Sequence, residues 1–336
     1  MNKPLLTENG LNLYYDSNCI ICGNVVPSKI IGAVTEHEYD TTDFTFKINL
    51  CMNCSLVSLY PRLDYTSFET IYPKDYYTNH YIMRSNENPC SSKLLKYFYK
   101  KNLKSFYTKL KPLLKNKLNE IKILDIGCGV GNHLDIFKEI FPNSVTSGVE
   151  PNEKAAAIAI EKGHNIFIES FEDLKSQSNE YDLIYSSHVI EHVEDPILFM
   201  KKCSVLTKSN GYILIETPNT DCIDFKLFKR GTWGGYHTPR HWYLFNTENF
   251  QLLSQKVNLK IDTYKCYCAP IFWSWTAHSL CIKLINRKFA DLCFPPVKIF
   301  YGGFQAFVIL GFFSVLERLI FFLTKRANCF YILLKK

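Results

Sequence analysis

A short glycine-rich turn constrains the fold more than any other stretch of the chain. Ile121-Lys-Ile-Leu-Asp-Ile126 reads as a short buried strand, Gly127-Cys-Gly129-Val-Gly131 as a turn, and His133 to Phe141 as a helix. Glycines at the end of a strand let the backbone approach a ligand closely, and the helix that follows offers unpaired N–H groups. A dinucleotide site wants G-x-G-x-x-G. Asn132 stands where its third glycine would fall, so that fingerprint fails. Glu150 ends the next strand, Ser144 to Val149, where a carboxylate can accept hydrogen bonds from both hydroxyls of a ribose. The two features together point to an adenosine-containing ligand that needs no phosphate.

The alternation of strand and helix continues. Glu153 to Lys162 reads as a helix closed by Gly163, Asn165 to Glu169 as a third strand and Tyr181 to Ser187 as a fourth. Asp195-Pro196 supplies an N-cap and a proline at the first helical position, opening a helix to about Leu206. Gly211 to Glu216 is a fifth strand stopped by Pro218, Thr247 to Lys256 a helix, and Leu259 to Cys266 a sixth strand. This rhythm predicts an α/β fold with a doubly wound, mainly parallel sheet. Cys329 to Leu334 reads as one more strand, which makes the apolar helices before it an insertion between the last two strands.

Ahead of this core lie Cys19-Ile-Ile-Cys22 and Cys51-Met-Asn-Cys54. Two C-x-x-C pairs supply four thiolates, the set for a closed, structural, tetrahedral zinc. Phe44 to Ile48 between them alternates as a strand, and a core this small draws its stability from the metal. The expected organisation is a zinc-binding module over 1–60, a helical linker or lid over 61–120, the core over 121–268, and the apolar insertion with the final strand over 269–336. In the linker, Ser92 to Leu118 reads as helix interrupted at Pro112.

Composition narrows the setting. Of 336 residues, 47% are apolar and 21% charged, ordinary globular usage. The net charge of +7 permits contact with phosphate or an anionic membrane, but no clustered basic stripe marks a nucleic-acid binder. Thirteen cysteines without an export signal between Met1 and Tyr15 suit a cytoplasmic protein. Ile299 to Leu316 carries no charge and reaches the lower edge of a bilayer span before Glu317-Arg318 interrupts it and Leu319 to Leu323 resumes. It reads as a buried helix or homodimer face, or as a monotopic hairpin on the inner face of the cell membrane, with a spanning helix third.

Leu124-Asp-Ile-Gly-Cys-Gly-Val-Gly131, Glu150, Tyr181-Asp-Leu-Ile184 and Glu191-His-Val-Glu-Asp-Pro196 together resemble the class I S-adenosylmethionine-dependent methyltransferases, over about Ile121 to Cys266. The cysteine module, followed by Leu56-Val-Ser-Leu-Tyr-Pro61 and a tyrosine-rich stretch, is similar to members with an N-terminal zinc-binding domain, common among enzymes of deoxysugar and surface-polysaccharide pathways. The resemblance implies a seven-stranded Rossmann-like sheet with S-adenosylmethionine as cofactor and a structural zinc on Cys19, Cys22, Cys51 and Cys54. It implies that Asp125, Gly127, Gly129 and Gly131 surround the methionine part and the sulfonium. Glu150 would hold the ribose, and Ser170 and Phe171 would stand at the adenine, though relatives often carry Asp where Ser170 stands. Ser187 and His188 would line the methyl-transfer site, with Tyr76 or Tyr77 closing over the cofactor.

Methyl transfer aligns a nucleophile with the sulfonium methyl, and a neutral hydroxyl needs a base. Candidate bases are His188, His192, His237 and His241, with His241 favoured. Trp233-Gly-Gly-Tyr-His-Thr-Pro-Arg240-His241 follows the fifth strand, where related sequences carry a similar Pro-Arg-His segment; Trp233 and Arg240 are the candidate substrate contacts, Arg240 for a phosphate or carboxylate. His188-x-x-Glu191-His192 also offers an incomplete metal-ligand set, but the resemblance implies that Glu191 and His192 order the loop near the cofactor. The leading expectation is methylation of a sugar hydroxyl or carbon in surface-glycan or glycolipid synthesis, on a small or lipid-linked acceptor. The alternatives are O-methylation of a lipophilic phenol or quinone precursor and, behind it, RNA methylation.

Overall fold

A computed structural model describes residues 6–8, 11–23, 28–63, 65–73, 104, 107–114 and 120–336. Its main sheet contains β1 (Lys122–Ile126), β2 (Val145–Val149), β3 (Asn165–Phe167), β4 (Tyr181–Ser187), β5 (Thr207–Pro218), β6 (Lys260–Tyr267) and β7 (Cys329–Lys335). The strand order is 3-2-1-4-5-7-6, with β7 antiparallel to both neighbours and every other pair parallel. β1 and β4 sit at the centre and are buried on both faces, which is why they read as continuous apolar runs. Alternate residues serve the two faces. Ile123, Leu183, Tyr185 and Leu214 face Ile136 and Phe137 of α1 (Asn132–Ile140). Leu124, Ile126, Ile184 and Ile213 belong to the opposite core, with α3 (Pro196–Leu206) and α5 (Thr247–Lys256). Between them in sequence come α2 (Glu153–Glu161) and α4 (Ile223–Phe228).

Capping chemistry fixes the helix starts. The Asp195 carboxylate accepts from the N–H groups of Ile197 and Leu198, with Pro196 inside the first turn, as the sequence predicts. Asn152 caps α2 in the same manner. α1 starts differently, from Gly131 in the left-handed region at φ 78° with no side-chain cap, so its first N–H groups are not taken by a cap side chain.

The N-terminal region forms two small sheets. Leu6–Glu8, Leu11–Tyr14 and Arg62–Leu63 make one; Ser28–Val34, Phe46–Cys51 and Val57–Tyr60 make most of the other. The fourth strand of the second sheet is Tyr243–Leu244, contributed from beyond β5. The Pro-Arg-His segment therefore stitches the cysteine-bearing sheet to the core. Arg240 is the rivet: it is 1% exposed, its Nε–H donates to the Ile71 carbonyl at 2.9 Å, and its guanidinium lies over the rings of Tyr39 and Tyr72. Its Nη1 also lies 3.6 Å from the buried Glu36 carboxylate, which accepts N–H bonds from Glu38, Tyr39 and Thr41.

Two expectations shift. Residues 92–103, 105–106 and 115–118 of the expected linker helix lie outside the described residues, as do Tyr76 and Tyr77; within them, Lys111–Leu114 is helical after a 3-10 turn at Thr108–Leu110. The apolar tail is not broken at Glu317-Arg318. The insertion consists of α6 (Pro270–Leu284), α7 (Arg287–Cys293) and one uninterrupted α8 (Phe304–Thr324). Glu317 turns to the buried side, where burial pushes its carboxyl up to about 8 and the Asn328 N–H reaches it at 3.4 Å; Arg318, one residue on, stays in solvent.

Arg240→Met would leave Glu36 without its cation. We expect an unfolding free energy lower by about 3–5 kcal/mol in denaturant titration, the usual effect of breaking a buried pair. A change below about 1 kcal/mol would contradict the rivet.

Candidate active site

The glycine turn hangs from β2. The N–H groups of Gly127 and Cys128 both donate to the Val149 carbonyl, at 2.9 and 3.1 Å. Gly127, Gly129 and Gly131 all have positive φ, at 74°, 53° and 78°, so the turn demands glycine at each. At Gly127 there is a second reason, because an added Cβ would stand 2.7 Å from Cγ2 of Val189. Glu150 is held in place by the N–H groups of Gly129 (2.9 Å) and Asn152 (2.8 Å), one on each carboxylate oxygen. Each oxygen keeps a second lone pair for a ligand hydroxyl.

The charge around the turn selects its ligand. Asp125 is buried, and its Oδ2 has no hydrogen-bond partner. Burial, then the neighbouring Glu150 and Glu216, push the Asp125 carboxyl well above its ordinary range. Glu150 and Glu216 are raised too, chiefly by burial. A buried Asp125 whose ionisation is penalised by two neighbouring acids suits a cationic ligand, and the sulfonium and ammonium of S-adenosylmethionine meet that need. The residues present therefore fit this cofactor. Ser170 is partly exposed and bonds Asp173 at 2.7 Å, while the Phe171 ring turns into the core against Phe199; of Phe171, only the main chain remains for an adenine.

Beyond the cofactor side, β4 ends at Ser187 and delivers His188. This residue has φ 53°, a left-handed conformation unusual for a non-glycine and characteristic of functional turns. Its main-chain N–H donates to the Glu216 carbonyl at 2.9 Å. Its side chain is 33% exposed; Nδ1 lies 3.0 Å from Glu191 Oε1, and Nε2 lies 3.1 Å from the Tyr267 hydroxyl. A carboxylate only accepts, so Nδ1 carries the proton and Nε2 turns its lone pair to the Tyr267 hydroxyl. Glu191 is fully buried and its second oxygen accepts from Thr217 Oγ1 at 2.9 Å. Burial works to lower the His188 pKa, but the Glu191 hydrogen bond and charge outweigh it, so the net shift is upward. Glu191 is correspondingly lowered against its own burial.

The other histidines stand further inside. His241 and His237 are both about as buried as the core, and burial holds each well below the usual imidazole range. His241 Nδ1–H donates to the Gly235 carbonyl at 2.8 Å, and its Nε2 is 3.9 Å from Glu191. His237 stacks on Trp275 and pairs with Glu38. His192 is lowered to about 4, again by burial, and Nδ1 sits 2.9 Å from the Arg240 carbonyl. Of the candidate bases, His241 and His237 are thus buried, whereas His188 keeps a third of its side chain exposed. Arg240 is riveted as described, and Trp233 is buried with Nε1–H donating to Asp224 at 2.8 Å. Arginine and histidine are normally wet, but in this Pro-Arg-His segment both are buried and the loop is an internal strut.

A cluster that the sequence did not disclose completes the site. The hydroxyls of Tyr107 and Tyr185 are 2.7 Å apart, and His133 Nδ1 lies 2.9 Å from the first and 3.3 Å from the second. Tyr107 also donates toward Glu216 at 3.4 Å. A signal was present: Glu216 closes the otherwise apolar run Tyr212-Ile-Leu-Ile215, and a carboxylate in a buried strand calls for partners.

In the N-terminal module, Cys19 Sγ and Cys54 Sγ are 3.5 Å apart, Cys22 Sγ and Cys51 Sγ 3.6 Å, and all four sulfurs lie within 4.8 Å of one another. Each pair turns through a left-handed residue, Gly23 or Ser55, whose N–H donates back to the first cysteine's carbonyl. Zinc–sulfur bonds of about 2.3 Å in a tetrahedron place sulfurs about 3.8 Å apart, close to this spacing.

A family described as a methyltransferase domain matches residues 96–264, about half of the chain. The chain belongs to that family. Its fold is the class I S-adenosylmethionine-dependent one, in the strand order given above. Among curated proteins it is similar to the ubiquinone biosynthesis O-methyltransferase of Bradyrhizobium diazoefficiens, 24% identical over 43% of this chain and 63% of that protein. The enzyme of the same name from Nitrobacter winogradskyi is 31% identical over 37% of this chain and 54% of that one. The match thus spans less than two thirds of these relatives. Among solved structures, the plantazolicin methyltransferase BpumL in complex with SAH aligns with a TM-score of 0.46 and 15% identity, over 77% of this chain and 90% of that one.

Gly127→Val would strain the turn and strike Val189. Calorimetry with S-adenosylhomocysteine should show affinity lost by at least about tenfold, roughly 1.4 kcal/mol. Unchanged affinity would remove the cofactor from this turn.

Proposed function

We propose that this protein transfers a methyl group from S-adenosylmethionine to a hydroxyl of an apolar, aromatic acceptor, with His188 as general base. The observation that carries the reading is the His188–Glu191 dyad at the end of β4, with Nε2 already 3.1 Å from a phenolic hydroxyl, that of Tyr267. A phenolic acceptor entering here would take up the same relation to Nε2.

Asp125, the glycine turn and Glu150 would hold the cofactor, which when bound supplies an electrophilic methyl. The remaining work belongs to the chain. His188 Nε2 takes the acceptor's proton as its oxygen attacks, and the raised pKa makes the imidazole a better base toward a phenol near 10. Glu191 fixes the tautomer and balances the imidazolium that forms. Burial raises the Glu216 carboxyl above its ordinary range, while the nearby His188 charge and the tyrosine hydroxyls act to lower it. Phe272, edge-on to His188 with centroids 6.5 Å apart, and Tyr267 give the site an aromatic wall suited to a ring. Among the acceptors considered from sequence, the lipophilic phenol draws support from the ubiquinone-pathway names of the relatives; the sugar acceptor draws none from them. We propose further that the four thiols hold a structural zinc, supported by their spacing and their distance from the dyad in sequence.

Two measurements test this. His188→Ala should lower kcat by roughly 10²–10⁴ while cofactor affinity holds. A working base must be neutral, so activity rises with pH through the His188 pKa, above 6.5; Glu191→Gln removes the cause of the upward shift, and the acidic limb should move to lower pH. An unmoved limb would sink the dyad. For the thiols, metal analysis should find about one zinc per chain, lost with a drop in Tm in Cys51→Ser; a metal-free, equally stable wild type would contradict it.

A further inference from the structure

The insertion between β6 and β7 carries a surface that methyl transfer does not use. α8 packs by one side, through Ala306, Ile309, Phe313 and Glu317, with Phe313 stacked on Trp273 of α6. Its other side shows Phe304, Val308, Phe312, Val315, Leu319 and Phe322, exposed by 81, 48, 64, 60, 58 and 70%. At 100° per residue these six fall in a strip about 80° wide, running nearly the whole length of a helix about 32 Å long. Mean hydropathy reaches 2.2, and among the described residues this is the one helix long and apolar enough to cross a membrane. The buried side, however, ties it to the protein over several turns. It offers a bilayer its flank, not its length.

Charge says what covers the flank. Lys283, Lys288, Lys298, Arg318 and Lys325 are exposed around the insertion, and among the described residues none has a carboxylate within ion-pair distance. Two acids of this region, Asp40 and Asp291, share the single cation Arg287, so together they offset only one of those five charges. α7 adds exposed Phe289 and Leu292, and Gln305 of α8 donates to the Leu292 carbonyl at 2.6 Å, joining the two helices. A second copy packed on a two-fold axis would present this same cationic set to itself, whereas anionic lipid complements it.

We propose that this face docks on an anionic lipid bilayer, with α8 lying in the interface plane, its apolar strip at the headgroup–acyl boundary and the lysines and arginine on lipid phosphates. The proposal goes beyond the methyl-transfer reading and stands or falls without it.

The test is sedimentation of the full chain with vesicles of phosphatidylcholine alone, or mixed with phosphatidylglycerol. The chain should pellet with the anionic vesicles and release as salt rises. Phe312→Asp with Phe322→Asp should weaken binding by at least about tenfold, and Lys288→Glu with Lys325→Glu should weaken it severalfold. Both variants should keep wild-type affinity for S-adenosylhomocysteine, which shows that they are folded. Three results would overturn the proposal: no pelleting with either vesicle, equal and salt-insensitive pelleting with both, or a dimer by light scattering that Phe312→Asp splits.

Discussion

The buried carboxylate of Glu191 is the contact on which the site depends. An ionised group in so dry a place is costly unless it is bonded on every side. Here His188 and Thr217 take its two oxygens, and its main-chain carbonyl accepts from the Trp242 N–H at 2.8 Å. One residue thereby joins the end of β4, β5 and the Pro-Arg-His strut. That strut continues into the cysteine-bearing sheet through Tyr243–Leu244 and Arg240. His188 and the N-terminal module are therefore mechanically connected, although far apart in sequence. A metal that stiffens the four thiols would act on the orientation of His188 only through this chain of contacts.

The division of labour among the histidines follows from the same economy. His192, His237 and His241 lie with their rings 4.7–6.5 Å apart and are driven toward neutrality by burial and by one another. Beside these three, His188 has a carboxylate partner strong enough to reverse that trend, and its side chain stays one-third exposed. Proximity to Glu191 alone does not set these apart: His241 Nε2 also lies 3.9 Å from Glu191, yet its pKa is held down by burial.

What the sequence disclosed was local. The glycine turn, Glu150 and the Asp195-Pro196 cap each depend on a few neighbouring residues and stand where those residues put them. The mainly parallel sheet followed because strands that alternate with helices pair in parallel. What it concealed was assembled from afar. The hydroxyl cluster draws on positions 107, 133, 185 and 216, and Arg240 is enclosed by Glu36, Tyr39, Ile71 and Tyr72. No spacing rule announces such convergence. α8 misled for a simpler reason: Glu317 and Arg318 look like a break in a line of text but lie on different sides of a helix.

The central claim is that this site methylates oxygen on an aromatic acceptor. It is tested most directly by incubating the full chain with methyl-¹³C S-adenosylmethionine and a catechol, and reading the product by NMR. The account predicts a labelled methyl ether on the ring oxygen. Label on ring carbon, or a labelled amine from a parallel incubation with no ether from any phenol offered, would contradict it.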